Sequence, residues 1–72
     1  MERQEATALL KELLIANLVQ PSYVHLKQNE HRHFDLIIKS DCDPIELRQF
    51  IAAKDLVLLV DKEKGTCRIY RP

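Results

Sequence analysis

Residues 43–60, DPIELRQFIAAKDLVLLV, hold a helix start and a complete strand in one short stretch. Asp43 suits an N-cap, Pro44 the first helical position, and Glu46 the third place of a capping box. Leu47, Phe50 and Ile51 then share one face, which predicts a helix running to about Lys54. Leu56 to Val60 follows as a strand apolar on both sides, a pattern that favours a central position in a sheet. Asp61 to Gly65 turns the chain, with Gly65 able to take a positive φ, and Thr66 to Arg71 is the last strand. A four-residue loop there aligns Val60 with Cys67 and Leu58 with Ile69 on the core side.

On the other side of that helix, Tyr23–Gln28 and His33–Lys39 both alternate with period two, as half-buried strands do. Register decides their faces, because a slip of one residue turns the whole apolar set outward. A two-residue loop would place Val24 and Leu26 beside His33 and Asp35. A three-residue loop, Asn29-Glu30-His31, aligns Leu26 with Phe34 and Val24 with Leu36, and this odd length is the one expected. Upstream, Glu5–Gln20 reads as a helix, with Ala6, Leu9, Leu10, Leu13 and Asn17 on one face and Pro21 as its stop.

The order is helix-strand-strand, twice. It implies an α+β domain over residues 1–72, a four-stranded sheet, mixed or antiparallel, and both helices on one face. The crossover through the second helix should be right-handed. Two placements of the third strand stay open. It lies beside the second, or it leaves a gap filled by the fourth, a circular permutation of the ferredoxin-like arrangement. The first half, with His33-Phe34 entering the second strand, resembles the start of BolA-like and type II KH domains over residues 5 to about 40. The chain has no GXXG loop, and its second half lacks the BolA helical signature, so the resemblance carries no functional residues across.

At 72 residues and 8.4 kDa the chain is near the lower limit for a self-sufficient core. Its 46% hydrophobic and 31% charged residues describe a globular chain, and no apolar run approaches the length of a membrane span. No apolar leader segment is visible at the N-terminus. Cys42 and Cys67 fit neither a dense secreted framework nor a zinc-type pair, so they read as reduced thiols of a cytoplasmic protein, with one disulfide between them left open. Cys42 stands where a helix N-terminus lowers a thiol pKa, while Asp41 and Asp43 push the other way.

Eleven basic and eleven acidic residues cancel, which argues against a general nucleic-acid binder. The charges are uneven, however. The two hairpin segments carry a net +3 and the rest of the chain −3. With the helices on one side, the open sheet face presents Tyr23, His25, Lys27, His33, Asp35, Ile37 and Lys39 from the first hairpin and Val57, Leu59, Arg68 and Tyr70 from the second.

Ile37, Val57, Leu59 and Tyr70, with Tyr23, form an apolar patch of the kind that receives a partner. Ile15, Leu18 and Val19 leave the end of the first helix apolar nearly all round, a second candidate surface for a homodimer. The expected function is therefore a small, non-catalytic protein-binding module, homodimeric, with no cofactor and an unidentified protein partner. The alternative is a nucleic-acid platform, with Lys27, Lys39 and Arg68 holding phosphate around the tyrosines. Third comes a metal site at His25, His33 and Asp35, with His25 opposite Asp35 across the hairpin.

Overall fold

The computed structural model describes residues 1–40 and 45–72. The reading of Asp43 and Pro44 as cap and first helical residue, and that of Cys42 between Asp41 and Asp43, lies outside the described residues. Two α-helices, α1 (Arg3–Ile15) and α2 (Ile45–Ala53), and four strands, β1 (Val24–Gln28), β2 (Phe34–Ile38), β3 (Val57–Asp61) and β4 (Thr66–Tyr70), follow one another as α1-β1-β2-α2-β3-β4. The sheet order is β1-β2-β4-β3, and every neighbouring pair is antiparallel. β4 therefore fills the gap between β2 and β3, the strand order of the permuted ferredoxin-like arrangement.

This corrects the expected central place of β3. The strand lies at an edge although Val57 to Val60 are all aliphatic, and none of its residues is buried. The interior strands are β2 and β4, and in β4 Cys67 and Ile69 are fully buried while Arg68 between them is exposed. β4 alternates although it is interior, because only one face of the sheet is covered.

The first helix also ends earlier than Gln20. It stops at Ile15, where Asn17 takes φ +60°. The Asn17 N–H donates to the Leu14 carbonyl (3.1 Å) and the Leu18 N–H to the Leu13 carbonyl (3.0 Å), closing a Schellman motif. Asparagine tolerates the left-handed region better than most residues, so Asn17 ends the helix four residues before Pro21. α2 closes the same way through Asp55 (φ +57°), with Asp55 N–H to Ala52 and Leu56 N–H to Ile51. The first reversal has a consequence for surface: Val19 turns inward and is 8% exposed.

The first hairpin pairs Leu26 with Leu36 and Val24 with Ile38, two residues from the expected register. Parity is kept, so every side chain stays on its expected face. The turn does contain three residues, but these are Glu30, His31 and Arg32, one position later than expected. Asn29 is the reason. Its N–H donates to the His33 carbonyl (2.8 Å), and its Oδ1 accepts from the His31 and His33 amides (2.9 and 3.1 Å). Arg32 takes the left-handed position (φ +62°) that ends such a loop. In the second hairpin the expected register holds, Val60 opposite Cys67 and Leu58 opposite Ile69. There Asp61 Oδ1 accepts from Glu63 and Lys64, and Gly65 sits at φ +63°.

Ala6, Leu9 and Leu13 of α1 and Leu47 and Ile51 of α2 close over Leu36, Ile38, Cys67 and Ile69, so both helices cover one sheet face. Met1 is buried as well, and its carbonyl accepts the Phe34 N–H (2.6 Å) where β4 ends. Lys54 Nζ lies 2.7 Å from Glu12 and links the helices. Arg71 forks onto Glu5, Nε to Oε1 at 3.1 Å and Nη2 to Oε2 at 2.6 Å, tying the end of the chain to α1.

These hydrogen bonds hold the Glu5 carboxyl below its ordinary pKa. A lowered folded-state value adds stability above the unfolded pKa and loses it as the pH falls through the folded one. Both side chains are almost half exposed, so the effect is small. Glu5→Gln should melt slightly below the wild type near neutrality, and thermal melts should converge below about pH 4. A gap that widened in acid would contradict this.

Candidate functional site on the open sheet face

The face opposite the helices is uncovered among the described residues. The registers arrange it in rows across β1, β2, β4 and β3. One row reads His25, Ile37, Arg68, Leu59. The next pairs Lys27 with Asp35 on β1–β2 and Tyr70 with Val57 on β4–β3. Tyr23 and Lys39 flank the start of the first ladder, joined by the Lys39 N–H to the Tyr23 carbonyl (2.6 Å). The expected patch of Ile37, Val57, Leu59 and Tyr70 therefore shares one face with the expected cations Lys27, Lys39 and Arg68. Leu59 is 46% and Tyr23 49% exposed, while Ile37, Val57 and Tyr70 are half-buried.

Arg68 is the organising residue. Its guanidinium stacks over the Tyr70 ring, 4.7 Å from the centroid, and its Nε lies 3.9 Å from Asp35 Oδ2. Asp35 is 5% exposed, and its Oδ1 accepts from Asn29 Nδ2 at 3.4 Å. The ion pair is too long for a hydrogen bond and acts as a charge contact. A buried carboxylate and an aromatic face thus hold a half-exposed arginine at the centre of the sheet, with apolar side chains around it.

Two shallow clefts, about 570 and 790 Å³, meet at Lys27, Ile37 and Arg68. The first runs toward His31, His33 and Arg71, and the second toward Lys62 and Lys64 of the second hairpin loop. Basic residues slightly outnumber the acidic Glu30, Asp35, Asp61 and Glu63 along their walls. Both clefts are shallow and open to solvent.

Other expected groupings change. His25 stands opposite Ile37, and Lys27 takes the place opposite Asp35. His33 leaves the strand for the hairpin loop, paired with Asn29. Among the described residues no three His, Cys, Asp or Glu side chains come together to hold a metal. The surface expected at the end of α1 breaks up too. Val19 is buried and Leu18 packs against the core, which leaves Ile15, 85% exposed. Cys67 is buried, its Sγ 2.9 Å from the Ser40 carbonyl.

Sequence reasoning missed the burial of Asp35 and its contact with Arg68. Both depend on β2 lying beside β4, and nothing in the hairpin patterns specifies that neighbour. No helix among the described residues is long and apolar enough to cross a membrane. The chain matches no protein-family model, no curated protein and no solved structure.

Proposed function

We propose that this protein is a non-catalytic binding module whose open sheet face receives an apolar and acidic surface of another protein. The observation that carries this reading is the composition of the face: Ile37, Val57, Leu59 and Tyr70 around Arg68, with Lys27, Lys62, Lys64 and Arg71 outnumbering Glu30, Asp61 and Glu63 at the rim. Burying the aliphatic and aromatic groups supplies the affinity, and the cations select the sign of the partner. Arg68 gives the face its centre, since arginine and tyrosine are the side chains most often found at the energetic core of an interface.

The same stack of Arg68 on Tyr70 supports a second reading, a platform for single-stranded nucleic acid. Salt separates the two. Phosphate binding releases counterions and weakens steeply with salt, whereas apolar burial responds little. Titration with mixed-sequence single-stranded RNA and DNA should give weak binding at low salt that vanishes near physiological salt. Peptides selected from a random display library should instead be enriched in aliphatic or aromatic residues beside Asp or Glu, and should lose binding to Tyr70→Ala. Submicromolar nucleic-acid binding at physiological salt, abolished by Arg68→Glu or Lys39→Glu, would replace the protein reading with the nucleic-acid one.

A further inference from the structure

We propose that the outer edge of β3 pairs antiparallel with β3 of a second copy, forming a two-fold dimer with one continuous sheet. The two edges of the sheet differ in kind. β1 exposes His25, Lys27 and Gln28, and charged side chains such as Lys27 are a common guard against edge pairing. β3 carries Val57-Leu58-Leu59-Val60 with no proline, lysine or bulge, and none of these four residues is buried. Among the described residues nothing pairs with its outer side. An edge without such guards presents its outer N–H and C=O groups as a template for another strand.

A second copy fits that edge through self-complementarity. With the two-fold axis at Leu59, Leu59 meets Leu59 of the partner subunit on the open face. Leu58 meets Val60 of the partner subunit on the helical face, where both are only partly covered. Val57 meets Asp61 of the partner subunit at the ends of the ladder, where the carboxylate stays in solvent. Stacking two copies open face to open face about an axis through Arg68 would instead bring like charge on like. The edge therefore serves the second copy and leaves the open face to a different partner. The pairing goes beyond the binding role proposed above and does not depend on it. A strand of five residues buries far less than the roughly 800 Å² per partner of a standard interface, so the dimer is weak and concentration-dependent.

Sedimentation equilibrium should show the mass rising from 8.4 kDa toward twice that value between about 5 and 500 µM. Leu59→Lys should stay monomeric over that range with its circular dichroism unchanged. In a Cys42→Ser background, Leu59→Cys should oxidise to a covalent dimer, because residues facing each other across antiparallel strands lie within disulfide reach. His25→Cys, on the other edge, should not. A monomer at every concentration, a dimer that survives Leu59→Lys, or a dimer in which Leu59→Cys fails to cross-link would each overturn the pairing. Loss of the dimer in Ile37→Lys, without cross-linking at position 59, would move self-association to the open face and count against the proposed partner as well. Peptide and nucleic-acid titration of the wild-type protein at the lowest of these concentrations, where it is monomeric, reads the open face separately.

Discussion

Ile69→Ala is expected to lower the melting temperature by about 20 °C, a loss of about 3–4 kcal/mol. Ile69 is fully buried on the interior strand β4, opposite Leu36 on one side and Leu58 on the other, under both helices. Truncation removes its methyl groups from the one place where sheet and helices all meet, and the cavity cannot close without moving a strand on each side. A domain of 72 residues has little stability in reserve, so much of the population should unfold near body temperature. Ile15→Ala is the matched control. Ile15 is 85% exposed, and its loss should change stability by no more than about 0.5 kcal/mol. Comparable effects at the two positions would contradict the helix end at Ile15 and the one-sided core.

Arg68→Ala should destabilise the fold by about 2 kcal/mol, and by more than Asp35→Asn does. The asymmetry follows from burial. Arg68 is half exposed, and without Asp35 its guanidinium is still solvated and still stacked on Tyr70. Asp35 is 5% exposed, and without Arg68 its carboxylate keeps the long contact from Asn29 and the neighbourhood of Lys27, opposite it across the β1–β2 ladder but with no ion pair to it. Thermal melts of the two variants at neutral pH measure the difference. A larger loss in Asp35→Asn would mean that the carboxylate serves the loop through Asn29 more than it serves Arg68.

Much of this fold is legible in local signals. The alternation of Val24 to Leu26 and Phe34 to Ile38 reports half-buried strands wherever they lie, and a three-residue turn keeps the faces correct even when shifted by one position. The second hairpin is pinned more tightly, because Asp61 and Gly65 mark both ends of its loop. Strand order is different in kind. β3 looks central by composition, yet β4 takes the interior place beside β2, since alternation of Cys67, Arg68 and Ile69 fits a sheet covered on one side. A single residue hid another feature. Asn17 ends α1 through its tolerance of positive φ, while the apolar spacing continues past it, so Val19 looked like surplus surface when it belongs to the core. The candidate site follows the same division. Which residues face the open side was legible from parity. The clustering of Arg68, Asp35 and Tyr70 was not, because it requires β2 and β4 to be neighbours.

The central claim is that the open sheet face binds protein, and backbone amide shifts read it most directly. Protein labelled with ¹⁵N, titrated at physiological salt with an acidic and aromatic peptide selected for binding, should show its largest shifts at Ile37, Leu59, Arg68 and Tyr70. The amides of α1 should hardly move, and Tyr70→Ala should abolish the response. Shifts confined to α1 and α2, or a stronger response from the open face to single-stranded RNA than to any selected peptide at the same salt, would contradict the account.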